Sequence, residues 1–311
     1  MMPRNKPKVS VVIPTYNRAH TLSKSLNSVL NQTYQNFEII IVDDGSSDNT
    51  EDVIRNFQKK DKRIIYVKHE KNKGQSAAEN TGIKIAKGDY IAFQDSDDEW
   101  LPKKLEKQIK LIEKSPSDLG VVYTGLLRIM GNKRIYVPGS WVKQKDGYIY
   151  NELLKGNFVS TPTILARKEC FQKLGMFDER LKALQDWDLV LRFSKFYKFG
   201  FIDEPLVLAP FMTDSLSVNY KTMLASYELI ISKYYDDFYK DKFIASIHNL
   251  SLSSLHFKCR NFKMGIRYLM KAFKEDLKYM EYHLCKAFLY KLAIKFQRDL
   301  QNDSSYNSIF L

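Results

Sequence analysis

Apolar residues gather in short blocks along the first two hundred positions, and the spacing changes from block to block. Val9 to Ile13, Phe37 to Val42, Arg63 to Val67 and Tyr90 to Gln94 read as four short strands. Between them the apolar period becomes helical. Leu22, Leu26, Val29 and Leu30 mark one helix, with Thr21 as its expected N-cap. Val53, Ile54 and Phe57 mark a second, capped by Ser47 or Asp48 and running to about Gln58. Ala77, Ala78 and Ile85 mark a third over Ser76 to Ala86, with Gly88 suited to the C-cap. Repeated strand–helix–strand units predict an α/β fold with a doubly wound, mostly parallel sheet.

Beyond Trp100 the spacing predicts a helix from Lys103 to Lys114 and a strand from Val121 to Thr124, followed by an irregular stretch through Val137 to Trp141. Thr163 to Ala166, a turn around Gly175, a helix from Asp186 to Lys195 and a closing strand from Phe201 to Leu208 complete the expected first domain, residues 1–217. From Tyr220 to Leu300 there is little Gly or Pro, and Ile266, Leu269, Met270 and Phe273 fall at helical intervals. Residues 218–311 are thus expected to form a helical domain, with only the last ten disordered.

The polar residues say what such a sheet would carry. Pro14-Thr15-Tyr16-Asn17-Arg18 follows the first strand, Asp43-Asp44-Gly45-Ser46-Ser47-Asp48 the second, and Asp95-Ser96-Asp97 the fourth. In an open parallel sheet such loops gather at the carboxyl edge, where ligands bind. Two carboxylates one residue apart can offer oxygens to Mg2+ or Mn2+, ions that commonly complete their shell with phosphates. Asp-x-Asp also suits an ordinary turn.

Composition narrows the classes. The chain of 311 residues is 44% hydrophobic, enough for one large core and a smaller unit. No apolar run approaches the roughly 20 residues of a membrane span, and no signal peptide is apparent, so a cytoplasmic location is expected. Cys170, Cys259 and Cys285 are far apart and suggest neither a disulfide framework nor zinc. A net charge of +13 favours an anionic partner, and between Ser254 and Arg298 there are 11 Lys or Arg against 3 Asp or Glu. No nucleic-acid motif accompanies that charge.

Taken together, Val11 to Arg18, Val42 to Asp48, Asn72-Lys73-Gly74 with Asn80-Thr81-Gly82, Asp95-Ser96-Asp97-Asp98 and Gln185-Asp186-Trp187-Asp188 resemble the motifs of the family 2 inverting glycosyltransferases, in the family's order. The resemblance covers roughly residues 8–217 and implies a GT-A fold, Rossmann-like in its sheet. It also implies a UDP-sugar donor, whose site would draw on Pro14, Thr15, Tyr16, Arg18, Asp44, Lys73, Asn80, Asp95 and Ser96. In that pattern Tyr16 stacks on uracil and Asp44 accepts its imide N–H. Asp97 holds Mn2+ or Mg2+, and Asp95 reaches the ribose or the ion. Asp186 is the implied base for the acceptor hydroxyl, although an Asp there also suits a helix cap.

Three departures from the family's pattern stand out. Gln185 replaces an acid, Glu79 stands where many relatives have Arg, and no His follows the last strand, where Asp214 is a weak substitute ligand. Lys73 or Arg18 would have to replace the missing cation. The implied activity is sugar transfer with inversion to a glycan or lipid-linked acceptor in surface-polysaccharide assembly; the alternative is a non-catalytic sugar-nucleotide-binding scaffold. Lys258, Arg260, Lys263, Arg267, Lys271, Lys274 and Lys278, mixed with apolar residues, suit an anionic membrane surface, a solvated face or a homo-oligomer contact. Nucleotidyl transfer is disfavoured, because Pro14-Thr15-Tyr16-Asn17 is not a Gly-rich basic loop.

Overall fold

The computed structural model describes residues 6–211 and 219–278. Asp214, the expected boundary at Ser217, Cys285 and the tail from Tyr279 onward lie outside these residues. Two compact units divide the chain between Ile230 and Ile231.

The first unit opens with β1 (Val9–Thr15), α1 (Ala19–Leu30), β2 (Phe37–Asp43), α2 (Thr50–Lys60), β3 (Ile64–Lys68), α3 (Gln75–Ile85), β4 (Tyr90–Phe93), β5 (Glu99–Trp100) and α4 (Lys104–Lys114). It continues with β6 (Leu119–Met130), β7 (Lys133–Val137), α5 (Tyr150–Leu153), β8 (Leu165–Arg167), α6 (Lys168–Leu174), α7 (Gln185–Ser194) and β9 (Lys198–Pro210). The sheet order is β3-β2-β1-β4-β8-β6-β9-β5, with β7 paired to β6 beside this path. Strands β3, β2, β1 and β4 are mutually parallel, as the sequence predicts. Two strands depart from that direction: β8 runs antiparallel between β4 and β6, and β5 antiparallel to β9.

Every residue of β1, β2 and β4 is buried, because helices cover both faces. On one face Val11, Ile13, Ile39 and Ile41 pack with Leu22, Leu26, Val29 and Ile54. On the other, α3 lies so close to β1 that a Cβ at Gly82 would sit 2.4 Å from Val12 Cγ1. Alternation along one strand thus feeds two layers.

Several sequence expectations need correction. Thr21 caps nothing, since α1 begins at Ala19 after Arg18. Neither Ser47 nor Asp48 is the N-cap of α2, which is Asn49; Asp48 instead accepts bonds from the Thr50 N–H and hydroxyl. Ile85 is exposed, and Ile83 takes the inner position. Gly88 is no C-cap. It is small because a Cβ there would lie 2.6 Å from the Ser10 nitrogen. The irregular stretch contains β7, and the turn before Gly175 is the end of α6. The short strand at Val121 is a twelve-residue strand, because β9 runs beside it as far as Pro210. Pro205 is accommodated there by a register shift opposite Gly125, where the ladder needs no N–H.

Helix α8 (Tyr220–Lys233) spans the division, and α9 (Tyr235–Tyr239), α10 (Lys242–Lys258) and α11 (Phe262–Glu275) follow. Asp241 and Asn261 cap α10 and α11 through bonds from Ile244 N and Met264 N. Gly265 lets the pair close, since a Cβ there would lie 2.6 Å from the Phe257 ring. On α11, Phe262, Ile266 and Met270 stay exposed one turn apart, beside exposed Lys263, Arg267 and Lys271. No helix among the described residues is long and apolar enough to cross a membrane.

Candidate active site

The loops after β1, β2 and β4 meet at one edge of the sheet, because those strands are neighbours. They enclose a cleft of about 630 Å³, lined by Pro14, Thr15, Tyr16, Asn17, Arg18, Asp44, Asn72, Gly74, Gln75, Ala78, Asp95, Ser96, Asp97 and Lys182. Chain segments far apart in sequence thus form one polar crevice.

Hydrogen bonds lace the first two loops together. Asn17, left-handed at φ 52°, donates its N–H to Ser46 Oγ at 2.9 Å, and its Oδ1 accepts Ser47 N–H at 2.9 Å. Arg18 N–H reaches Thr50 Oγ1 at 3.0 Å. Tyr16 projects from this braced loop with 45% of its surface exposed, which leaves a ring face open to the cleft.

The two acids that end the second loop's strand differ in work. Asp43 is fully buried and accepts Ser46 N–H and the Tyr66 hydroxyl, a structural role. Asp44 reaches the cleft, and three groups hold its carboxylate: Lys73 N–H at 2.9 Å, Gly74 N–H at 2.7 Å and His69 Nδ1 at 2.7 Å. His69 Nε2 in turn lies 2.9 Å from Thr81 Oγ1. Sequence reasoning missed His69; only its place one residue after β3, next to the acid-bearing strand, pointed to it.

Asp95, Ser96 and Asp97 all line the third side. The Asp95 carbonyl is tied by Ser25 Oγ at 2.9 Å, and the turn closes from Asp98 N–H to the same carbonyl at 3.1 Å. Burial lifts the Asp95 carboxyl to about 7, and the charges of Asp97 and Asp186 push it the same way. Arg18 Nε lies 4.0 Å from Asp97. Beneath them is Glu79, fully buried, its Oε1 receiving Gln75 Nε2 at 3.2 Å and its Oε2 without a partner. Burial and the charges of Asp95 and Asp186 raise the Glu79 carboxyl well above its ordinary value. Excess negative charge and an all-oxygen donor set fit a hard divalent cation. No group of three or more His, Cys, Asp or Glu converges on one point among the described residues, so an ion bound by Asp95 and Asp97 would need water or phosphate to complete its shell.

Asp186 sits in the first turn of α7 and is not its cap, which is Leu184 in a left-handed conformation at φ 60°. Its carboxylate accepts Trp187 N–H at 2.8 Å, and the nearby Asn157 side chain and Thr161 N–H also favour its charged form. Burial outweighs these influences and lifts it to about 6. Below it, Trp187 Nε1 bonds the Leu153 carbonyl at 2.9 Å. Asp188, fully buried, pairs with Arg192 at 3.0 Å, whose other nitrogens hold the carbonyls of Leu174, Gly175 and Met176.

Two expected donor contacts are not brought to the cleft. Asn80 is buried and its amide is spent on Phe177 and Glu179, because the loop before α7 must be pinned to α3. The Lys73 side chain is exposed and outside the lining, and only its N–H serves, on Asp44. The cation that does line the cleft, with Arg18, is Lys182. Its Nζ donates to the Lys73 carbonyl at 3.2 Å and lies against Gly74. In sequence it carried no signal beyond standing four residues before Asp186.

Known proteins resemble this chain over most of the part that forms the cleft. The family described as glycosyl transferase family 2 matches residues 10–175. An uncharacterized glycosyltransferase of Methanocaldococcus jannaschii is 37% identical over 206 residues, covering 65% of this chain and 70% of its own. The Escherichia coli UDP-Glc:alpha-D-GlcNAc-diphosphoundecaprenol beta-1,3-glucosyltransferase WfgD is 41% identical over 157 residues, 50% of this chain and 59% of that enzyme. Two Rickettsia relatives are much longer, and the matched region spans 28% and 32% of them. The crystal structure of S. aureus TarS 1-349 in complex with UDP-GlcNAc superposes with a TM-score of 0.61 at 21% identity, over 86% of this chain and 81% of that one, which is a likeness of fold.

Proposed function

The chain belongs to glycosyl transferase family 2, and from that membership we propose that it moves a sugar from a UDP-sugar to a hydroxyl of a glycan or lipid-linked acceptor, with inversion, in polysaccharide assembly. The observation that carries this reading is the meeting of Asp44, Asp97 and Asp95 in one cleft, with Asp186 close enough to raise the Asp95 carboxyl. A nucleotide-sugar donor such as the UDP-Glc named for one relative fits the groups that line the cleft: an aromatic ring at Tyr16, an acceptor at Asp44, cations at Arg18 and Lys182 and carboxylates at Asp95 and Asp97.

In this reading Tyr16 stacks on the base, and Asp44, with both oxygens fixed, keeps a remaining lone pair for the imide N–H. Asp97 and Asp95 would hold Mg2+ or Mn2+, which supplies charge neutralisation of the departing diphosphate. Arg18 and Lys182, both in the lining, would add positive charge to the cleft. Asp186 takes the acceptor hydroxyl's proton as the new C–O bond forms and the anomeric carbon–phosphate oxygen bond breaks from the opposite face. A base poised near 6 is ionised at neutral pH yet still basic enough to accept that proton. The exposed Phe262, Ile266 and Met270 among Lys263, Arg267 and Lys271 support contact of the second unit with an anionic lipid surface.

The test is UDP release from a panel of UDP-sugars with an acceptor mixture, in Mn2+ or EDTA, for wild type, Asp97→Ala and Asp186→Asn. Metal-dependent release lost in both variants is expected. UDP binding without release from any donor would refute the transferase reading and leave a sugar-nucleotide-binding scaffold, for which the buried Glu79 would be the reason.

A further inference from the structure

The loop segment near Asp186 contains an aromatic ring that the donor chemistry does not use. Trp141 lies in a turn closed by Val142 N–H to the Gly139 carbonyl at 3.2 Å, and half of its surface is exposed. The other two tryptophans, Trp100 and Trp187, are 3% and 2% exposed. An exposed indole on a loop is ordinarily mobile, but this one is held on three sides. A Cβ at Gly139 would lie 3.0 Å and 3.1 Å from Trp141 Cδ1 and Nε1, so the backbone backs the pyrrole edge. A Cβ at Gly156 would lie 3.7 Å from Cη2, and Phe158 meets the indole edge to face at 6.0 Å and 83°. Half of the residue's surface stays open although these contacts hold the ring in place.

The position of this ring is what gives it meaning. Gly156, against its far edge, is followed by Asn157, whose side chain lies close enough to the Asp186 carboxylate to favour its charged form. Adjacent residues are about 3.8 Å apart, so the path from the indole through Gly156 and Asn157 to the carboxylate spans at most on the order of 15 Å, which an acceptor of two or three linked sugars can bridge. A hexopyranose has one face made largely of C–H groups, which packs on an aromatic plane as other apolar surfaces do, while its hydroxyls stay in water.

We propose that Trp141 is a preformed stacking platform for a hexopyranose ring of the acceptor, which sets acceptor choice while leaving donor binding untouched. The proposal rests on the assignment of Asp186 as the base. It makes Trp141 a positioning residue: the ring holds the acceptor so that its hydroxyl meets Asp186, and takes no part in bond making.

The experiment titrates the whole protein, with and without UDP, with β-linked tetrasaccharides of glucose, N-acetylglucosamine and mannose, followed by tryptophan fluorescence and calorimetry. Emission is expected to change with at least one of them, because Trp141 is the exposed tryptophan. Trp141→Ala should weaken that binding about tenfold or more, and Trp141→Phe by about threefold or less, while UDP affinity stays unchanged in both. Failure to bind UDP in the wild type would overturn the donor assignment alone, since the saccharide titration is read independently. Saccharide binding of equal strength in Trp141→Ala, or no response to any of the three, overturns the platform.

Discussion

Replacing Asp186 with Asn is expected to strengthen the fold while removing transfer. Burial lifts the Asp186 carboxyl from 3.8 to about 6, so between these values the folded protein keeps a proton that the unfolded chain has released. The stability this confers is fully present below about pH 4 and is lost as the pH rises through 6. At pH 7.5 the ionised group therefore weakens the native state by roughly 3 kcal/mol relative to an unburied carboxylate. Asn carries no charge and keeps the bond to Trp187 N–H, but its amide meets Asn157 and the Thr161 N–H less well, at about 1 kcal/mol for a lost bond. The net gain should be roughly 1–2 kcal/mol. Urea unfolding in EDTA, read by tryptophan fluorescence, reports the first unit, which holds Trp100, Trp141 and Trp187. The variant's lead should be full at pH 7.5, shrink as the pH falls through 6 and give way to a deficit of about 1 kcal/mol near pH 4, while kcat drops about 10²–10⁴-fold. A variant less stable at pH 7.5, or a lead independent of pH, would refute the reasoning.

Two further outcomes are open to measurement. His69→Ala removes one of the three donors that fix Asp44, a loss of about 1.5–3 kcal/mol for a bond to a charged group, so the donor KM should rise about tenfold or more with kcat less affected; an unchanged KM would show that Asp44 needs no such brace. Reversing Lys263, Arg267 and Lys271 to Glu should abolish sedimentation with phosphatidylserine vesicles at physiological salt, since each basic residue near such a surface contributes about 1 kcal/mol; equal binding of the wild type to neutral vesicles would count against the lipid reading.

Strands and the helices over them were legible because their period is local: Phe37 to Val42 is buried on both faces and contains no alternation to misread. The Asp-x-Asp loop and Tyr16 were legible for the same reason, each following directly on such a strand. What escaped was set by contacts distant in sequence. Asn80 looked like a donor contact until Phe177, 97 residues on, took its amide. Lys182 is one exposed lysine among many in sequence, and only the approach of its loop to Gly74 brings it to the cleft. Gly88 resembled a helix stop, but Ser10 on a different element decides its size. Helix caps failed likewise: Leu184 starts α7 in a backbone conformation that no propensity favours for Leu.

Among the described residues the sheet ends in three margins: β3, β5 and β7 each pair on one side only. Free margins are templates for other chains, and each is blunted differently. β5 is two residues long, β7 begins with exposed Lys133 and Arg134, and β3 ends in exposed Lys68 with Arg55 stacked on Tyr66 at 4.7 Å. Each of these three margins is thereby a poor template for edge-to-edge pairing with another chain.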